Sequence, residues 1–142
     1  DLAYTIDVII KNLHSLKEGG VIAHPDVFMK EDDREFALRL LSKSLLNYDE
    51  YVELMSSYII NWEPERLAAT DTSLIVMGIA EAVSFSNIPL KVTINEYVEL
   101  AKYYSTPNSR VFVNGILDKL LLDMQREGKI EKTGRGLVGS IE

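Results

Sequence analysis

A chain of 142 residues, 46% apolar and 26% charged, has the size and composition of one ordinary globular domain and can bury a core without cross-links. The absence of cysteine excludes disulfides, thiolate metal sites and a cysteine nucleophile, and no apolar run approaches the roughly 18 residues that would span a bilayer. The net charge of −7 argues against strong nonspecific affinity for nucleic acid, but residues 1–70 hold 7 Lys/Arg against 13 Asp/Glu while residues 71–142 hold 8 against 9, so a local basic site in the second half is not excluded.

Helical spacing recurs in nearly every segment and strand-like alternation never persists, which predicts an all-α fold. The first helix, about Leu2 to Leu16, places Leu2, Ile6, Ile9, Ile10 and Leu13 at apolar spacing and stops at Gly19-Gly20. A linker containing Pro25 runs to Phe28, so residues 1–28 form an N-terminal helix and linker. The chain opens on Asp1 with no basic stretch leading into an apolar one, so no signal peptide is visible and the sequence reads as a piece of something longer.

A second helix, about Asp32 to Leu46, carries Phe36, Leu40 and Leu41 on one side and acidic residues at its start, where the macrodipole favours them. After a short turn at Asn47 to Asp49, Tyr51, Leu54, Met55, Tyr58, Ile59 and Trp62 form the buried face of the next helix. Pro64 suits the first turn of a further short helix. The segment DTSLIVMGIAEAVSF, residues 71–85, is apolar almost all round and belongs at the centre of a bundle, with Gly78 allowing a neighbouring helix to approach closely.

Pro89 breaks the chain before a helix that buries Ile94, Tyr97, Val98, Ala101 and Tyr104 and exposes Asn95, Glu96, Glu99 and Lys102. The last helix starts near Pro107, with Val113, Ile116, Leu117, Leu120, Leu121 and Met124 at core spacing. Residues 29–124 form the main helical domain, and residues 125–142, rich in glycine and without a sustained period, form a flexible or loosely docked tail.

Little in the sequence reads as an active site. The only histidines, His14 and His24, do not have metal-ligand spacing. No G-x-S-x-G elbow, P-loop or dinucleotide fingerprint occurs, and the GRGLVG run near the C-terminus has neither a strand before it nor a helix after it. The exception is Thr106-Pro107-Asn108-Ser109-Arg110, where a helix N-terminus meets two small polar side chains and a cation, a setting that can hold a phosphate. Phe112 lies off the apolar stripe near the same end, where its ring can stack on an unpaired base or widen the core. The same residues also read as a plain helix start, with Thr106 as cap, Pro107 in the first turn and Arg110 solvated.

The segment IPLKVTINEYVELAKYYSTPNSRVFVNGILDKL, residues 88–120, strongly resembles the C-terminal half of the NusB (N-utilization-substance protein B) family of transcription antitermination factors. Upstream, WEPERLAATDTSLIVMGIAEAV resembles the family's central helix, and DREFALRLLSKSLLNYDEYVELMSSYIINW its preceding helical hairpin. The resemblance implies an all-helical fold of two small antiparallel bundles, no catalysis, no cofactor and no membrane partner. It further implies a cytoplasmic factor that joins a small-subunit ribosomal protein, NusE, on boxA-like single-stranded RNA from ribosomal RNA operons, and so acts indirectly on the RNA polymerase elongation complex. Mapped by motif, the RNA-facing residues are Asn108, Ser109, Arg110 and Phe112, with Asn114 nearby, and Asp71 faces the protein partner.

One departure stands out: the arginine-rich opening of that family has no counterpart in residues 1–30. RNA affinity of the chain alone is therefore expected to be weak. The alternatives are the similar N-terminal module of a ribosomal RNA cytosine methyltransferase and a protein-interaction domain that has lost RNA binding.

Overall fold

The computed structural model describes Ile6, Ile9, Ile10 and Leu13 and residues 30–59 and 67–138. The chain divides into two compact units, residues 1–35 and 36–142. In the first, Ile6, Ile9, Ile10 and Leu13 are helical. The rest of the expected first helix, the linker with Pro25, the histidines, Trp62 and the short helix at Pro64 lie outside the described residues.

The described residues contain helices and no strand: α1 (Glu31–Leu46), α2 (Tyr48–Ser56), α3 (Ala69–Ser84), α4 (Leu90–Tyr104), α5 (Ser109–Arg126) and a short 3-10 turn, Gly134–Leu137. Helices α3, α4 and α5 pack on one another, and α2 packs on α3. As its composition predicts, α3 is central, with Leu74, Ile75, Val76, Ile79, Ala80 and Ala82 all buried. They meet Ile94, Tyr97 and Ala101 of α4 and Val113, Leu117, Leu120 and Leu121 of α5 in one apolar cluster.

Gly78 serves this packing. A methyl group added there would stand 2.9 Å from Leu117 Cδ2 and 3.3 Å from Tyr97 Cδ2, so the missing side chain lets α4 and α5 close onto α3. Two apolar expectations differ from the structure. Leu41 is 55% exposed and Tyr104 is 72% exposed. The turn of α1 that carries Leu41 buries Leu40 and Ser44 instead, and Tyr104 is the last residue of α4, beyond the buried run that ends at Ala101.

The tail is anchored as far as it is described. Gly128, with φ of +73°, reverses the chain after α5. The amide of Lys129 donates to Met124 O (2.9 Å) and that of Gly128 to Gln125 O (3.1 Å), the paired bonds of a Schellman end. Ile130 is then buried in the core. Lys132 caps the C-terminal end of α3, its Nζ donating to Ala82 O (2.8 Å) and Phe85 O (3.0 Å). Thr133 adds a backbone bond to Ser86 O (2.9 Å), and Gly136 lies so close to Ser86 that a Cβ would fall 2.0 Å from its carbonyl oxygen.

Candidate nucleic-acid interface

The connection from α4 to α5 is four residues long, Ser105 to Asn108. Thr106 O accepts from the Ser109 amide (3.0 Å), which makes Thr106–Ser109 a turn with Pro107 at its second position, where its fixed φ is favourable. The helix therefore begins at Ser109, two residues later than Pro107 suggests, with Asn108 as its N-cap residue. The side chain of Asn108 makes no capping hydrogen bond and stays exposed beside Arg110.

Beneath the turn lies a polar cluster centred on Asp71, in the first turn of α3. Asp71 is 5% exposed and Ser109 1%. Ser109 Oγ donates to Asp71 Oδ2 (2.7 Å) and Ser105 Oγ donates to Asp71 Oδ1. Ser109 Oγ accepts from the Thr106 amide (3.1 Å) and lies 2.7 Å from Thr106 Oγ1. Each hydroxyl has one proton and a carboxylate has none, so Thr106 gives to Ser109 and Ser105 gives to Asp71, while the Ser109 proton faces Asp71 Oδ2 (2.7 Å) and Ser105 Oγ (2.9 Å), of which the carboxylate is the shorter and stronger acceptor. Hydrogen bonds to a carboxylate are the stronger kind, and they tie the end of α4, the turn and the start of α5 to α3.

The residues expected at the site divide accordingly. Asn108 and Arg110 are exposed on the turn and first helical residues, and Asn114 is exposed one turn further along α5. Phe112 is half-buried and packs against the core cluster. Ser109 and Asp71 differ from expectation, because both are buried and bonded to each other. A buried carboxylate needs partners, and these hydroxyls supply them. Thr106, which the sequence offers as a helix cap, instead bonds to Ser109, and Ser105, which no sequence motif marks, joins the cluster from the other side of the break, four residues before Ser109.

A second buried acid, Glu81, is held in the same helix by Thr93 Oγ1 (2.7 Å) and Tyr97 Oη (3.1 Å). Burial, with the nearby Glu81 carboxylate, pushes the Tyr97 phenol well above its usual range. On the exposed side of α4, Lys102 pairs with Glu99 at 3.0 Å, and this hydrogen bond is the main influence holding the Glu99 carboxyl below the usual range. Among the described residues, no three or more His, Asp or Glu converge to hold a metal, and no helix is long and apolar enough to cross a membrane.

Fold and site together define an all-helical domain whose distinctive chemistry is a buttressed turn between two helices. The NusB family model matches residues 6–121, and the chain belongs to the NusB family. It is similar to the transcription antitermination protein NusB of Salinibacter ruber, 44% identical over 106 residues that cover 75% of this chain and 66% of that protein. The protein of the same name from Chloroherpeton thalassium is 36% identical over 119 residues, 84% of this chain and 56% of the relative. The chain thus spans less than two thirds of the length of these two relatives. Among solved structures, NusB of T. maritima superposes with a TM-score of 0.65 at 33% identity, over 70% of each chain.

Proposed function

We propose that this chain is an RNA-binding transcription antitermination factor that acts in the cytoplasm together with a NusE-type small-subunit ribosomal protein on boxA-like single-stranded RNA. Its role is binding, and no residue is assigned to catalysis. The observation that carries the proposal is the α4–α5 turn, where Asn108 and Arg110 are held outward by the Asp71 cluster on a helix start that favours anions.

In this reading Arg110 contacts a phosphate, and Asn108 and Asn114 hydrogen-bond to RNA. Phe112 offers the exposed part of its ring to a base, while Ser109 acts from below by fixing the turn. Asp71 also works from beneath the surface: a protein partner that reaches this end of α3 meets the side chains that Asp71 holds in place. A single exposed cation at the turn, Arg110, on a chain of net charge −7 fits a factor whose RNA affinity depends on a basic partner.

Fluorescence anisotropy with a labelled boxA-like strand tests the proposal, using the chain alone, the ribosomal protein alone and the two together. Tighter binding by the pair than by either component, and a preference over a scrambled strand, is the expected result. Equal binding with and without this chain would overturn it.

A further inference from the structure

Two tyrosines at the end of α4 have no part in the core. Tyr103 is 67% exposed and Tyr104 is 72% exposed, directly before the turn that carries Asn108 and Arg110. Val111, on the other side of that turn, is 77% exposed. Large apolar side chains left open on both sides of one short turn suggest a surface used for contact.

Tyr103 shares its face with charges. Lys102 Nζ lies 4.9 Å from the centroid of its ring, and Glu99, paired with Lys102, also feels the charge of Arg110 from the start of α5. Lys102 and Tyr103 lie at the end of α4 and Arg110 at the start of α5, on the two sides of the four-residue turn. Glu99 is paired with Lys102, and Arg110 adds a second cation across the turn on a chain that carries −7 overall. An exposed ring flanked by cations suits a polyanion with flat, unpaired bases: the phosphates meet Lys102 and Arg110, and a base stacks on the ring. A duplex keeps its bases stacked on each other and cannot use such a ring.

We propose that Tyr103 is a base-stacking residue for single-stranded RNA, with Lys102 and Arg110 as its flanking phosphate contacts, which extends the RNA surface from the turn back along α4. The inference rests on the RNA-binding reading above. It assigns Tyr103 an RNA contact that the α4–α5 turn alone does not provide.

The test uses the full chain with its ribosomal partner and a short fluorescein-labelled single-stranded RNA. Tyr103→Ala should weaken binding by about 5- to 150-fold, the equivalent of the roughly 1–3 kcal/mol that one stacked base contributes. Tyr103→Phe, which keeps the ring, should retain most of the affinity. Because the side chain is exposed, neither change should lower the melting temperature appreciably. A strand containing iodouridine should photocrosslink to the peptide that carries Tyr103.

Arg110→Ala separates the two readings. If Arg110→Ala weakens RNA binding and Tyr103→Ala does not, the stacking role is wrong and the turn remains an RNA site. If the unaltered complex binds no more RNA than the partner alone, both readings fall. If Tyr103→Ala releases the protein partner and leaves RNA affinity untouched, the patch is a protein interface and the stacking proposal is overturned.

Discussion

Asp71→Asn probes the buttress under the turn by exchanging one carboxylate oxygen for an NH2 group. In the native cluster both carboxylate oxygens accept, one from Ser105 and one from Ser109. The amide must instead present two N–H donors at one of those positions. It cannot present them to Ser109 without displacing a bond, because that hydroxyl already receives the Thr106 amide and lies 2.7 Å from Thr106 Oγ1. The amide nitrogen is therefore forced toward Ser105, which is only half-buried and can turn its own proton to water.

Both charge-assisted bonds become neutral ones, with the one to Ser105 reversed in direction, so the cost should be about 2 kcal/mol, near the value of one hydrogen bond to a charged group. Urea unfolding followed by helical circular dichroism measures it directly. A double-mutant cycle with Ser109→Ala should return a coupling of about 0.5–3 kcal/mol, since the two side chains are in contact. A loss below about 0.5 kcal/mol, or strict additivity with Ser109→Ala, would show that the cluster does not hold the turn.

Other outcomes follow from the core, the tail and a buried phenol. Ile79 is fully buried, and Ile79→Ala should cost about 2–5 kcal/mol in the same unfolding assay. Gly136→Ala places a methyl group against the Ser86 carbonyl, and should either destabilise by about 1–3 kcal/mol or unseat the tail, which faster tryptic cleavage at Lys132 and Arg135 would reveal. Tyr97 is held neutral in the fold by burial and by Glu81, so its phenol ionises more readily when unfolded. Above the ordinary phenol range near pH 10 the unfolded chain then binds fewer protons than the native one, and stability should fall by up to about 1.4 kcal/mol per pH unit. Tyr97→Phe should remove the Tyr97 share of that alkaline loss in urea titrations run across the same pH range, leaving the smaller part from Tyr51 and Tyr58, which burial also raises.

The central helix and its neighbours were legible because period and composition agree. An apolar helix with one glycine has to be surrounded, and Gly78 receives Leu117 and Tyr97. The two buried acids of α3 were not visible in the same pattern. Asp71 reads as a residue favoured by the helix dipole until Ser105 and Ser109 are brought to it across 34 and 38 residues of sequence. The anchored tail was hidden for a related reason. Glycines usually signal freedom, yet Gly128 makes a helix end and Gly136 a close approach to Ser86. Ser109 shows the opposite case: a serine at a helix start looks like a donor to a ligand, and its burial depends on an acid from another helix.

The salt dependence of RNA binding tests the proposed site most directly. With the ribosomal partner present, affinity for a boxA-like strand should be measured across a range of salt concentrations for the unaltered chain and for Arg110→Ala. If Arg110 contacts a phosphate, the variant should bind more weakly at low salt, and the log–log slope should flatten by about 0.7, the share of one phosphate on a single strand. Unchanged affinity and an unchanged slope would contradict an RNA contact at the start of α5.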